Sequence, residues 1–167
     1  MKRLLLVFLV CLTTPGWTQT LTLQKGQDGP TIGVGITRPE VEKLLGPWPE
    51  DSAEEYATFQ GVLTVYIRRG KVAQLSAVQS PAGLASWALQ KDGKELAHLG
   101  EKDSVLKSRL GAPRLTLFKS TLDVWIFSFP TTDLGLMFSA HSLEAIILTP
   151  AGKLQDVLFL TGYQRRS

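Results

Sequence analysis

The chain contains 167 residues, of which 44% are hydrophobic and 20% are charged. These fractions are normal for globular proteins and exclude a collagen, a coiled coil and a disordered chain. The formal net charge is only +3, and the short clusters of basic residues form no stripe interleaved with aromatic residues. This pattern argues against nucleic-acid binding.

Residues 1–18 have the pattern of a secretory signal peptide. Lys2 and Arg3 precede an apolar run that ends at Leu12. The run is too short to span a membrane, which takes about 20 apolar residues. Small residues at Gly16 and Thr18 predict cleavage after Thr18, and a second site of the same kind would place the cut after Thr20. We therefore expect a secreted or periplasmic protein without a membrane span.

The only cysteine of the chain, Cys11, lies inside this apolar run. After cleavage the chain has no cysteine, so neither disulfides nor thiolate metal sites can form. Cys11 could instead be a lipid-attachment cysteine, but Val10 stands where a small residue is required. The sequence therefore argues against a lipid anchor.

Short sequence signals recur in the two halves of the chain. They are Leu23–Lys25 and Leu89–Lys91, then Gly35 with Gly46 and Gly100 with Gly111. Each pair of glycines brackets the pattern of a two-turn helix. Internal recurrence of this kind is typical of duplicated modules.

Each predicted helix has start signals and apolar positions. Thr37 and Glu40 have the spacing of a capping box at the first helix, and Asp103 is the predicted N-cap of the second. Val41, Leu44 and Leu45 form the apolar stripe of the first helix, and Leu106 and Leu110 that of the second. Leu45 and Leu110 are the corresponding predicted core anchors.

Strands with turn signals between them follow each helix. The predicted strands are Tyr56–Gln60, Val62–Ile67, Val72–Val78, Leu115–Lys119, Val124–Phe129, Gly135–Ser139 and Leu143–Thr149. The predicted fold class is therefore α+β, with two tandem repeats that each consist of a short helix followed by an antiparallel sheet of three to four strands.

We divide the chain accordingly. The predicted units are the signal peptide at 1–18, the first helix-meander repeat at 19–80, the second repeat at 81–150 and a C-terminal extension at 151–167. Val157–Leu160 in the extension is apolar enough to add a strand or a helix to the core. A single repeat is small and has no covalent staple, so we expect both to pack together.

This pattern resembles a known module. The residues that carry the resemblance are Gly35, Ile36, Thr37, Val41, Leu45, Gly46, Pro47, Tyr56, Leu63, Val65, Ile67, Gly70, Val72 and Leu75. Their spacing resembles the helix-plus-hairpin module of SmpA/OmlA-type outer-membrane assembly lipoproteins, and equally the tandem module of β-lactamase inhibitor protein. The resemblance implies a non-catalytic module of the cell envelope or the exterior that binds another protein across a sheet face.

The sequence contains no catalytic constellation. His98 and His141 have no second histidine nearby, and the acidic pairs Glu50–Asp51 and Glu54–Glu55 lack the spacing of a calcium loop. The glycines of Gly29–Gly35 lack both the Walker lysine and the dinucleotide-binding order. We therefore predict no enzyme, no catalytic residue, no cofactor and no metal.

Five residues are candidates for binding a partner. They are Tyr66, Arg68, Trp48, Tyr56 and Trp125. Aromatic residues and arginine anchor many protein interfaces, and Tyr66 should lie on the strand face opposite Leu63, Val65 and Ile67. The predicted function is a secreted or periplasmic protein-binding module, such as an inhibitor or an envelope-assembly accessory. The alternatives are a structural envelope component and a hydrolase with a dispersed Ser/His/Asp site.

Overall fold

The fold comes from a computed structural model that describes residues 20–79, 86–154 and 162–165. Several sequence predictions therefore lie outside the described residues. These are the signal peptide with its cleavage site, Cys11, the repeat boundary at 80–81 and the apolar segment Val157–Leu160. All of them stay predictions.

Twelve strands and two helices make up the described parts of the chain. In order they are β1 Leu21–Lys25, β2 Thr31–Ile32, α1 Arg38–Leu45, β3 Tyr56–Phe59, β4 Leu63–Arg68, β5 Lys71–Val78, β6 Trp87–Lys91, β7 Lys94–His98, α2 Asp103–Leu110, β8 Leu115–Lys119, β9 Leu122–Ser128, β10 Thr132–Ser139, β11 Ser142–Pro150 and β12 Gln164–Arg165. The seven strands predicted after the helices are confirmed to within a few residues at their ends.

The strands form two antiparallel sheets that draw on both halves of the chain. A four-stranded sheet has the order β2-β1-β6-β7, and an eight-stranded sheet has the order β12-β8-β9-β10-β11-β5-β4-β3. Strands take up 52% of the described structure and helices only 13%. The prediction of two tandem helix-plus-sheet repeats in an α+β fold is therefore wrong. The fold is largely sheet. The two halves are not separate repeats, because hydrogen bonds between them join their strands into common sheets.

The strands of the smaller sheet are not among those predicted from the sequence. The recurring segments at residues 21–25 and 87–91 are strands β1 and β6, and they pair with each other directly, with Leu23 opposite Leu89. Both leucines are fully buried. Their similarity therefore reflects two adjacent strands that share one buried face.

The two helices begin in different ways. At α1 the backbone N–H and the hydroxyl of Thr37 both donate to the Glu40 carboxylate at 2.7 Å, and the predicted capping box is confirmed. At α2 the N-cap is Lys102, and Asp103 is the first helical residue. The prediction of Asp103 as the cap is therefore wrong; its carboxylate bonds to His141 instead. Within the described ranges, no helix has both the length and the apolarity to cross a membrane.

The main core lies between the two sheets and beneath both helices. It combines Leu23 and Leu89 of the smaller sheet with Leu63 and Leu136 of the larger one, and both helices contribute to it. Val41 and Leu106 are the buried helix residues. The predicted anchors Leu45 and Leu110 do pack against this core, but they are only partly buried at its edge.

The opposite side of the larger sheet differs between the two halves. Over β8–β11 it is apolar and covered, since Leu117, Val124, Ile126 and Ile147 form a second core with Leu154. Over β3–β5 the outward side chains are mainly polar or aromatic, with the exposed Val78 at the end of β5. This difference leaves the β3–β5 part of the larger sheet open on this side.

Candidate functional site

The open surface of β3–β5 contains two of the predicted binding residues side by side. We call it the tyrosine face, and it consists of the outward side chains Tyr56, Thr58, Thr64, Tyr66, Gln74 and Ser76. Tyr56 and Tyr66 are directly opposite each other on β3 and β4, and their ring centroids are 4.8 Å apart. They are 39% and 42% exposed.

The alternation of β4 explains this placement. Leu63, Val65 and Ile67 point into the main core, so Tyr66 and Arg68 point away from it. The exposed position predicted for Tyr66 is thus confirmed, while its contact role stays a prediction. Thr58 supports the pair, because its hydroxyl donates to the Tyr56 Oη at 3.2 Å.

The hairpin turn beside the tyrosine face is basic. Arg68, Arg69 and Lys71 are all exposed there, and Arg69 adopts a positive φ of 53° in the turn. The ion pairs found among the described residues involve neither Arg68 nor Arg69. The exposed acids Glu54 and Glu55 precede β3 at the same end of the sheet, and the Ile67 amide donates to the Glu55 carbonyl at 2.8 Å.

Trp48 does not belong to the tyrosine face. Its ring packs edge-on against the inward-pointing Phe59, with centroids 5.7 Å apart, and its Nε1 donates to the Ala53 carbonyl at 3.0 Å. The Arg38 guanidinium lies 4.6 Å from the centre of the ring. Trp48 therefore fixes the loop after α1 against the core.

Trp125 lies on the inner side of the larger sheet and forms part of a cavity of about 440 Å³. Its ring contacts Phe138, with centroids 4.5 Å apart. The carboxylates of Asp103 and Asp123 and the ring of His141 also line the cavity. The structure thus separates Trp125 from the two tyrosines, and it adds three polar groups that the sequence analysis did not select.

Hydrogen bonds between the start of α2 and the β10–β11 hairpin shape this cavity. The Gly100 amide donates to the Leu143 carbonyl at 2.7 Å, and the Leu143 amide donates to the Glu101 carbonyl at 2.9 Å. Ala140 and His141, the two turn residues, both have positive φ, at 46° and 67°. These are the signs of φ that a tight two-residue hairpin turn requires.

The two polar partners at the mouth of the cavity are Asp103 and His141. The Asp103 Oδ2 and the His141 Nδ1 are 2.7 Å apart, although the His141 side chain is 85% exposed. The hydrogen bond that His141 donates to the Asp103 carboxylate raises the pKa of His141, with a smaller electrostatic contribution from Asp123. The same hydrogen bond lowers the pKa of Asp103. The protonated His141 and the ionised Asp103 therefore coexist over a wider range of pH than two isolated side chains would.

The sequence offered little signal for this cavity. Asp103 and His141 are 38 positions apart, and only the fold brings them together. His98 is held elsewhere, by Glu95 and Glu101. The described residues include no group of three or more His, Cys, Asp or Glu side chains that could hold a metal ion.

Among known proteins, this chain has a similarity in fold only. No family model and no curated protein matches the sequence. Among solved structures, the chain is similar to a DUF4309 family protein, YjgB from Bacillus subtilis, with a TM-score of 0.50 and 12% identity over 68% of this chain and 78% of that chain. At this identity the similarity shows a shared fold alone. The resemblance to SmpA/OmlA-type lipoproteins and β-lactamase inhibitor protein stays a prediction.

Proposed function

We propose that this protein is a non-catalytic, secreted or periplasmic module that binds another protein through the tyrosine face. The observation that carries the proposal is the exposed Tyr56–Tyr66 pair on an open sheet surface. Tyrosine offers a large contact area at a low cost in side-chain entropy, together with a hydroxyl for hydrogen bonding. The ring contact and the Thr58 hydrogen bond hold the pair in place on adjacent strands, which reduces the cost of association.

The charge beside the tyrosine face indicates the chemistry of the partner. Arg68 and Arg69 are exposed in the turn beside the tyrosines, whereas the charge of Lys71 is partly balanced by the nearby Glu40. A partner with an apolar centre and an acidic rim would complement the surface, and such complementarity raises the association rate and the specificity. Inhibition and envelope assembly are two forms that this binding could take. A structural envelope component and a hydrolase are the competing proposals.

Comparative capture tests the proposal. Immobilised protein is exposed to secreted and envelope proteins of its source organism, and retained proteins are compared for the unmodified chain and for Tyr56→Ser/Tyr66→Ser. We expect a partner that the double variant loses and Val105→Ser retains, because Val105 is equally exposed but lies on α2. Arg68→Glu should weaken capture of the same partner.

Two results would contradict the proposal. One is a set of captured proteins that does not change in the tyrosine variant. The other is turnover of ester, peptide or glycoside substrates that His98→Ala or His141→Ala abolishes, which would favour a hydrolase. Retention in the envelope fraction without any partner that depends on the tyrosines would favour a structural component.

A further inference from the structure

The cavity around Trp125 is a second concave surface, separate from the tyrosine face. Trp125 opposes Leu136, an inward-facing residue of the larger sheet, whereas Tyr66 points outward from the same sheet. The two surfaces therefore lie on opposite sides of one sheet. A ligand of the cavity does not compete with a partner on the tyrosine face.

The wall of the cavity is aromatic. The rings of Trp125 and Phe138 are in contact, and Trp125 remains partly exposed to the cavity. The volume of about 440 Å³ is within the range of small-ligand sites, which runs from about 300 to 1,000 Å³. The face of a tryptophan ring attracts cations more strongly than any other side-chain ring.

The rim of the cavity supplies negative charge. Asp103 and Asp123 both line it. Asp103 occupies the first turn of α2, where the helix dipole favours an anion, and its hydrogen bond to His141 keeps it ionised. Two basic groups lower the pKa of this carboxylate. They are the His141 ring and Lys107, which lies one turn further along α2. The two carboxylates outnumber the single imidazole of His141 at the rim, so the rim keeps a net negative charge beside the aromatic wall and complements a flat cation.

We propose that the cavity binds an arginine side chain of another polypeptide. The guanidinium group is planar, so it can stack on the Trp125 ring while its edge donates hydrogen bonds to a carboxylate at the rim. The fold positions both features before binding, because hydrogen bonds between residues 100–103 and 141–143 hold α2 against the hairpin. This site does not depend on the tyrosine face.

The experiment uses a glycine-flanked arginine peptide as the probe and the same peptide with citrulline as its uncharged control. Binding is followed by NMR at the indole N–H of Trp125, assigned from the signal that Trp125→Phe removes. We expect the arginine peptide to shift this signal saturably and to bind about tenfold more tightly than the citrulline peptide.

Isosteric variants then test the rim. Asp123→Asn and Asp103→Asn should each weaken the arginine peptide by about threefold to tenfold. Glu50→Gln, which removes one negative charge from the loop after α1, should leave the affinity unchanged. The Tyr56→Ser/Tyr66→Ser variant should also bind normally, so failure of this proposal and failure of the proposed function can be told apart.

Three outcomes would overturn the assignment. They are equal binding of the arginine and citrulline peptides, absence of any shift at Trp125 up to about 10 mM peptide, and unchanged affinity in both aspartate variants. The comparison of the arginine and citrulline peptides uses the unmodified chain, so it decides the question even if a variant fails to fold.

Discussion

At the scale of single residues, the structure forms polar pairs between groups that the sequence keeps far apart. Asp103 and His141 come from α2 and from the β10–β11 turn, and their 2.7 Å hydrogen bond links these two elements. The raised pKa of His141 and the lowered pKa of Asp103 both follow from this bond. The pKa of each residue therefore depends on whether the hydrogen bond to the other residue is present.

Asp103→Asn should lower the pKa of His141 towards its ordinary value, because the hydrogen bond to an anion is lost. The His141 contribution to stability is complete below its unfolded pKa of about 6.5 and is lost as the pH rises through the higher folded pKa. The Asp103 contribution behaves oppositely, and is lost as the pH falls through its lowered folded pKa. NMR titration of the imidazole protons measures the effect, with His98→Ala used for assignment. An unchanged His141 titration in Asp103→Asn would show that the pair does not form in solution.

Glu101 and Arg109 form a second pair with a different role. Glu101 is only 7% exposed, and its two carboxylate oxygens accept from the Arg109 NH1 and NH2 groups at 3.2 and 2.7 Å. Arg109 also donates to the Leu96 carbonyl at 2.8 Å. The guanidinium thus joins α2 to β7 and satisfies a buried carboxylate.

Arg109→Ala should lower the free energy of unfolding by about 1 to 3 kcal/mol, because it leaves the Glu101 carboxylate buried with fewer donors. Glu42→Ala is the control, since Arg38 and Glu42 form an exposed pair on α1 and its loss should cost at most about 0.5 kcal/mol. Urea denaturation measures both variants. If both variants lose equally little free energy of unfolding, water hydrates the Glu101 carboxylate when Arg109 is absent.

At the scale of helices and strands, apolar periodicity predicted which elements form but not how deeply each residue is buried. The predicted stripes are Val41, Leu44 and Leu45 on α1 and Leu106 and Leu110 on α2. Only Val41 and Leu106 are completely covered, and the prediction that Leu44 is buried is wrong, because this side chain is 39% exposed. Sequence spacing fixes the face of a helix, whereas the position of the sheets beneath it decides which turn lies deepest.

Leu106→Ala should therefore cost about 2 to 5 kcal/mol, because this side chain is 0% exposed and its removal leaves a cavity. Leu110→Ala should cost clearly less, because Leu110 lies at the edge of the core. Thermal or urea unfolding of the two variants provides the comparison. A larger loss for Leu110→Ala would mean that α2 packs differently from this description.

The sequence did not predict which strands pair with each other across the two halves of the chain. Local alternation predicted β4 and β8, because each has turn signals and alternating apolar residues. Nothing local indicates that β5 pairs with β11 or that β1 pairs with β6. The Trp125 cavity was missed for the same reason, since it depends on long-range pairing.

At the scale of the whole molecule, two long-range strand pairs join the halves of the chain. β1 pairs with β6 along its whole length in the smaller sheet, and β5 pairs with β11 in the larger sheet. One buried cluster contains residues from both sheets and both helices. A separate first half would leave β1 without β6 and without the buried Leu89 opposite Leu23.

The chain should therefore unfold in one cooperative transition. Leu23→Ala in β1 and Leu136→Ala in β10 each remove a fully buried side chain, in different halves and different sheets. Both substitutions should lower the same melting transition, at a cost of about 2 to 5 kcal/mol each. Calorimetry of the unmodified chain and the two variants tests this, with equality of the calorimetric and van't Hoff enthalpies as the criterion. Two transitions, each sensitive to only one substitution, would mean that the shared sheets do not couple the halves energetically.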